Sequence, residues 1–128
     1  MNSKVKILVV EDETPVARMM AFILSRAGCE VETATNAEQA VRSVQAAEFD
    51  LITLDIDLPG GSGFEIYARF KKLPCWQNTP VVFVSGNSTI ENQQLALDFG
   101  AVDFIGKPFD MGDFVSRILS RVEGTATA

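Results

Sequence analysis

The sequence has 128 residues, 47% of them hydrophobic, and a formal net charge of −6; that size and apolar content set the expectation of one compact domain. The negative charge and scattered basic residues, with Lys71-Lys72 the one adjacent pair, disfavour direct nucleic-acid binding and place that pair on a solvated helix face. The absence of histidine excludes His-based triads, imidazole zinc sites and a phosphohistidine-carrying role.

Apolar runs such as Ile7 to Val10 and Val81 to Val84 are too short to span a bilayer, and MNSKVKILVV passes straight into EDE without a cleavage-site pattern. The expectation is a cytoplasmic protein without membrane insertion. Cys29 and Cys75 match no metal or redox spacing, so two reduced, partly buried thiols are expected.

Strand-like KILVV, EVETA, LITL, PVVFV and DFI are each followed by a stretch of helical period, giving five strand-then-helix units. The first helix is expected to be capped by Thr14, with Pro15 at its first position, and to stop at Gly28. Its inward face would carry Val16, Met20, Ile23, Leu24 and Ala27, and Met19 beside Met20 is read as core filler. Asn36 and Gln39 resemble a capping box opening a second helix that turns Ala40, Val41 and Val44 inward. A third helix is expected from about Phe64 to Leu73, broken by Pro74. A fourth should run from Ser88 or Thr89 to Gly100, and a fifth from Asp110 to about Val122, with Phe114, Val115, Ile118 and Leu119 at helical spacing. Trp76 is expected to pack beneath the third helix, and GTATA has no periodicity.

KILVV, LITL and VVFV are apolar without alternation, as strands covered on both faces require, whereas EVETA alternates like an edge strand. An α/β fold with a parallel sheet between two helix layers follows, and its functional crevice lies beyond the carboxyl ends of the strands. There the sequence places Glu11, Asp12 and Glu13 after the first strand, Asp55 and Asp57 after the third, Ser85 after the fourth and Lys107 after the fifth. Several carboxylates held together repel unless a pKa rises or a cation joins them, and an all-oxygen donor set suits Mg²⁺. A lysine and a hydroxyl facing that cluster offer what an incoming phosphoryl group needs, beside a carboxylate that can act as nucleophile.

Four segments, VVEDE at 9–13, LDIDLPGGSG at 54–63, VSG at 84–86 and GAVDFIGKPF at 100–109, together resemble the receiver domains of two-component response regulators. The pattern is similar to the single-domain chemotaxis type and spans residues 4–122. The resemblance implies a doubly wound, flavodoxin-like fold with a five-stranded parallel sheet in order 2-1-3-4-5 and five helices. The receiver domain would cover residues 1–123, leaving 124–128 as a flexible tail. The family's offsets to Pro59 and Gly63 select Asp55 as phosphoacceptor. Mg²⁺ (or Mn²⁺) would be held by the carboxylates of Asp12 and Asp55 and the backbone carbonyl of Asp57, with Glu11 reaching it through water. Ser85 and Lys107 correspond to the switch hydroxyl and the phosphoryl-binding lysine, Lys107-Pro108 to a cis peptide, and Phe104 to the aromatic switch position. Asp57 and Asn87 would set the lifetime of the acyl phosphate. Glu11 stands where aspartate is common, and Phe104 lacks the hydroxyl of the commoner tyrosine.

By the same resemblance the chain would be a signalling switch rather than an enzyme, phosphorylated by a histidine kinase or phosphotransfer protein and read by a downstream partner at the face formed by helix 4, strand 5 and helix 5. Two other readings fit parts of the pattern. One is a degenerate receiver acting as a constitutive interaction module. The other is a haloacid dehalogenase-type phosphatase, with Asp55 as nucleophile and Asp57 as general acid, although that family carries its paired aspartates on the first strand of a larger chain.

Overall fold

A computed structural model describes residues 4–126 of the chain. Five strands, β1 (Lys6–Val10), β2 (Glu30–Ala34), β3 (Leu51–Leu54), β4 (Val81–Ser85) and β5 (Asp103–Gly106), alternate with five helices, α1 (Thr14–Arg26), α2 (Ala37–Ala46), α3 (Gly63–Lys72), α4 (Ile90–Asp98) and α5 (Met111–Ala126). A two-residue antiparallel ladder, Asp57–Leu58 against Gly61–Ser62, folds the connection from β3 to α3.

The strands form one parallel sheet in the order β2-β1-β3-β4-β5, the order expected from the sequence. Because side chains alternate along a strand, each buried strand feeds two layers. Leu8, Val10, Ile52, Leu54, Val81 and Phe83 pack with α2 and α3, through residues such as Val41, Ile66 and Phe70. Ile7, Val9, Leu51, Val82, Val84 and Ile105 pack with α1 and α5, through Met20, Leu24, Phe114 and Ile118. Double coverage explains the unbroken apolar runs of β1, β3 and β4, while β2, at the edge, buries only Ala34 fully.

Helix ends follow local chemistry, with some differences from expectation. Glu13, not Thr14, occupies the capping position of α1, and its side chain makes no capping bond; its amide instead donates to Glu11 Oε2 at 3.2 Å. Ala17 takes the inward place expected of Ala27, which lies beyond the helix as its C-cap and is exposed. Met19 is 37% exposed and so is not core filler. Asn36 accepts from the Gln39 amide, but the Gln39 carboxamide bonds to Thr35 rather than back to Asn36, so half of a capping box forms. The reciprocal box sits instead at the start of α3, between Ser62 and Glu65. α5 continues to Ala126 rather than ending near Val122; of the tail expected at 124–128, residues 127 and 128 lie outside the described residues.

Trp76 stacks on Phe70 of α3 at 5.5 Å between centroids. Both cysteines are free; Cys29 is buried and Cys75, contrary to expectation, is exposed. Among the described residues no helix is long and apolar enough to cross a membrane.

Candidate functional site at the carboxyl ends of the strands

The sheet's hydrogen bonding runs one residue past three strand ends and thereby aims three side chains into one crevice. The Glu11 amide donates to Ala34 O at 2.9 Å, the Asp55 amide to Val10 O at 3.3 Å and the Lys107 amide to Ser85 O at 3.0 Å. The crevice lies where the strand order reverses between β1 and β3, the position at which open α/β sheets bind ligands. The loop after Asp55 is folded back on itself: the Gly63 amide donates to Ile56 O at 2.6 Å, and a methyl group at Gly63 would overlap the backbone carbonyl of Asp55. Glycine is therefore required at 63 by close backbone approach.

Lys107 is the hub of the charge arrangement. Its Nζ donates to Asp55 Oδ2 at 2.8 Å, stands 2.6 Å from Glu11 Oε1 in an ion pair that lacks hydrogen-bond alignment, and lies 3.7 Å from Glu13 Oε1. Asp55 Oδ1 accepts from the Asp57 amide at 3.2 Å. Glu11 and Asp55 are 1% and 5% exposed, so this is a buried charge cluster. Burial pushes the Glu11 carboxyl above the ordinary glutamate value, with Lys107 pulling against it. Burial works to lower the Lys107 ammonium, but the carboxylates of Asp55 and Glu11 outweigh it and raise the group above an ordinary lysine.

Glu11, Asp12 and Asp55 each present a carboxylate oxygen, all within 4.8 Å of one another. Oxygens so spaced fit around one hard cation with metal–oxygen distances of about 2.1 Å, and one lysine among this many carboxylates leaves negative charge to be neutralised. The donor set therefore suits Mg²⁺ and offers nothing to a softer metal.

The remaining residues singled out in the sequence line the cleft around this cluster, except Phe104, whose ring packs in the core. The Ser85 hydroxyl is buried at the end of β4 and accepts from the Asn87 amide at 3.2 Å. The Lys107–Pro108 peptide is cis. The Phe104 ring is buried, 6.5 Å from Phe83 in a stacked arrangement. Asp57, Asn87 and Pro108 border an open cleft of about 770 Å³ that also contains Asp12, Asp55 and Lys107. Val16 and Met19 of α1 and Phe109 supply its apolar wall, so the exposure of Met19 places it at the crevice. Sequence reading missed this: two adjacent methionines on a helix carry no signal of which faces a cleft. A separate pocket of about 380 Å³, between Val44 and Pro80, lies at the opposite end of the sheet and shares no residue with the crevice.

Residues 7–119 match the response regulator receiver domain family. The chain is 35% identical over 116 residues to the transcriptional regulatory protein TcrA of Mycobacterium tuberculosis, covering 91% of this chain and 45% of that protein. It is 37% identical over 113 residues to the phosphate regulon transcriptional regulatory protein PhoB of Escherichia coli, covering 88% and 49% respectively. The chain thus spans about half the length of these relatives. Among solved structures, a CheY-like response regulator receiver domain protein of Methanospirillum hungatei superposes with a TM-score of 0.89 at 29% identity over 98% of both chains. The chemotaxis response regulator CheY4 of Vibrio cholerae superposes with a TM-score of 0.84 at 30% identity, over 94% of this chain and 99% of that one. The order of the sheet, the crevice at its switch point and the match over most of the sequence lead to one conclusion: this chain belongs to the response regulator receiver domain family.

Proposed function

We propose that residues 1–123 act as a phosphorylation-dependent switch in two-component signalling, taking a phosphoryl group on Asp55 from a phosphohistidine of a kinase or phosphotransfer protein. The observation that carries this reading is the buried Asp55 carboxylate, held between the Lys107 ammonium at 2.8 Å and the Asp57 amide at 3.2 Å, beside two further carboxylates. The 128 residues contain no histidine, so the donor imidazole is not among them.

Transfer forms one O–P bond at an Asp55 carboxylate oxygen as the N–P bond to the donor imidazole breaks, and the imidazole takes a proton from solvent. Asp12, Asp55 and the Asp57 carbonyl would hold Mg²⁺ or Mn²⁺, with Glu11 reaching it through water. The bound ion supplies positive charge that offsets the negative charge of the phosphoryl oxygens. Lys107 already contacts Asp55 and neutralises the oxygen nearest to it. Asp57 and Asn87, at the cleft, stand where they control the approach of water to the acyl phosphate and hence its lifetime.

The product adds negative charge to a crowded carboxylate site, and the Ser85 hydroxyl, whose oxygen accepts from the Asn87 amide, can relieve it by moving to donate its O–H to the new oxygens. That movement displaces the connection from β4 to α4, and Phe104 can then repack into the space vacated. A two-state element biased by the phosphate results, read by a protein partner at the face of α4, β5 and α5. The only chemistry required of the chain is its own phosphorylation and dephosphorylation, in the cytoplasm.

The test is intact mass after incubation with Mg²⁺ and acetyl phosphate. The parent gains one phosphoryl group, Asp55→Asn gains none, and chelation by EDTA abolishes the gain. A parent that stays unmodified, with EDTA making no difference, would move the constitutive interaction module to the front.

A further inference from the structure

α4 is the helix with the least hold on the core. It fully buries Ala96 alone, whereas α1, α2 and α3 each bury four residues, and Ile90, Leu95 and Leu97 are 82%, 40% and 50% exposed. Among the described residues, the side-chain hydrogen bonds at its N-terminus run to the segment that precedes it: the Thr89 cap, Asn92 Nδ2 donating to Asn87 O, and Gln93 Nε2 donating to Ser88 O. That segment follows directly from Ser85.

The C-terminus is fastened differently. Gly100, at φ 108°, closes a turn in which its amide donates to Leu97 O and the Ala101 amide to Ala96 O, which satisfies two of the last carbonyls. The Phe99 carbonyl receives instead the ammonium of Lys71, from the last turn of α3. The same Nζ lies 4.2 Å from the Tyr67 ring centroid and 5.6 Å from that of Phe99, and the Phe99 ring packs on Phe64 of α3 at 5.2 Å. A Cβ at position 100 would sit 3.3 Å from the Tyr67 hydroxyl and 3.6 Å from Lys71 Nζ. Lys71 lies on the exposed helix face expected from the sequence, yet its ammonium is held over two aromatic rings at the negative end of α4, a favoured position for it.

We propose that Lys71 is a latch that holds α4 in its resting position and so opposes the switch. The inference rests on the proposed phosphorylation of Asp55. Movement of Ser85 toward the phosphoryl group pulls on the N-terminus of α4, and the Lys71 contact ties its other end to α3. Any state in which α4 shifts must loosen that contact, so the latch favours the resting state, and by linkage its removal favours phosphorylation. Lys71 is a positioning residue here; it does not touch the reacting atoms.

The experiment pairs hydrogen exchange with phosphorylation kinetics on Lys71→Met, which removes the charge and keeps an apolar stem, and Lys71→Arg, which keeps the charge. In the unphosphorylated protein, amides of residues 92–100 in Lys71→Met are expected to exchange about three- to tenfold faster, through loss of the exposed cation–π contacts to Tyr67 and Phe99 and of one charge-assisted bond, with α5 unchanged. The initial rate of modification by acetyl phosphate is expected to rise by a similar factor, and Lys71→Arg to restore both values toward the parent. Unchanged exchange in Lys71→Met would overturn the latch whether or not the protein phosphorylates. Faster exchange with an unaltered phosphorylation rate would overturn its coupling to the switch. A parent that fails to phosphorylate would count against the Asp55 reading, while the exchange data still test the contact.

Discussion

Adding one methyl group at Gly63 should disrupt the crevice from its backbone. The Cβ of Gly63→Ala would overlap the Asp55 carbonyl and sit 3.0 Å from the Phe83 ring. The first obstacle is backbone that itself leads into the phosphoacceptor, so it cannot swing aside as a flexible side chain would. Relief requires the β3–α3 connection to open, at the expense of the 2.6 Å bond from the Gly63 amide to Ile56 O. Overpacking in a filled site costs about 1–3 kcal/mol and a lost backbone hydrogen bond about 1 kcal/mol, which together give about 2–4 kcal/mol. For a domain of this size that lowers Tm by roughly 6–16 °C. Gly86→Ala is the control, because a Cβ there meets nothing within 4 Å; a change within about 0.5 kcal/mol is expected. Thermal melts of both variants beside the parent provide the assay. If Gly63→Ala melts together with Gly86→Ala, the close approach of the loop to Asp55 is wrong, and with it the reason for glycine at that position.

Three other outcomes follow from the charges. Glu11 has a raised pKa, so its ionisation works against folding: the associated stability is fully present below the unfolded value and is lost as pH rises through the folded one. Glu11→Gln should therefore raise Tm at neutral pH without Mg²⁺ and reduce the gain in Tm on adding Mg²⁺, as melts with and without the ion will show. Lys107→Gln leaves Glu11 and Asp55 buried without their cation and should cost about 3 kcal/mol at neutral pH; chemical denaturation should find part of that loss recovered as acid protonates the carboxylates. Burial tends to raise the Asp103 pKa, but the two bonds from Arg117, at 2.7 and 3.1 Å, hold it below an ordinary aspartate. That pair contributes stability above the unfolded value and loses it as pH falls through the lowered one, so Arg117→Ala should destabilise by about 1 kcal/mol at pH 7, discounted for its partial exposure. The difference from the parent should vanish in strong acid.

What was legible in the sequence was whatever depends on periodicity and chain order. Unbroken apolar runs marked the central strands because both of their faces are covered, alternation in EVETA marked the edge, and the acidic, hydroxyl and lysine side chains at successive strand ends met in one crevice because parallel strands all end on the same side. Features made by contacts between distant segments were not legible. Nothing near Lys71 in the sequence points to the Phe99 carbonyl 28 positions away. Glu13 displaced Thr14 from the cap because its amide is drawn to Glu11, and Gln39 turned to Thr35 because that residue offers it two donors. Gly63 could be read as a loop glycine, but its reason, contact with the Asp55 backbone, required the fold.

The central claim is that the phosphoryl group resides on Asp55 and not on Asp57 or Asp12. Borohydride reduces an acyl phosphate to an alcohol, so treatment of the protein modified by acetyl phosphate and Mg²⁺, followed by peptide mass spectrometry, converts the acceptor aspartate to homoserine in place. Homoserine at position 55 alone is the predicted result. Homoserine at 57 or 12, or none in a protein that has gained the phosphoryl mass, would contradict it.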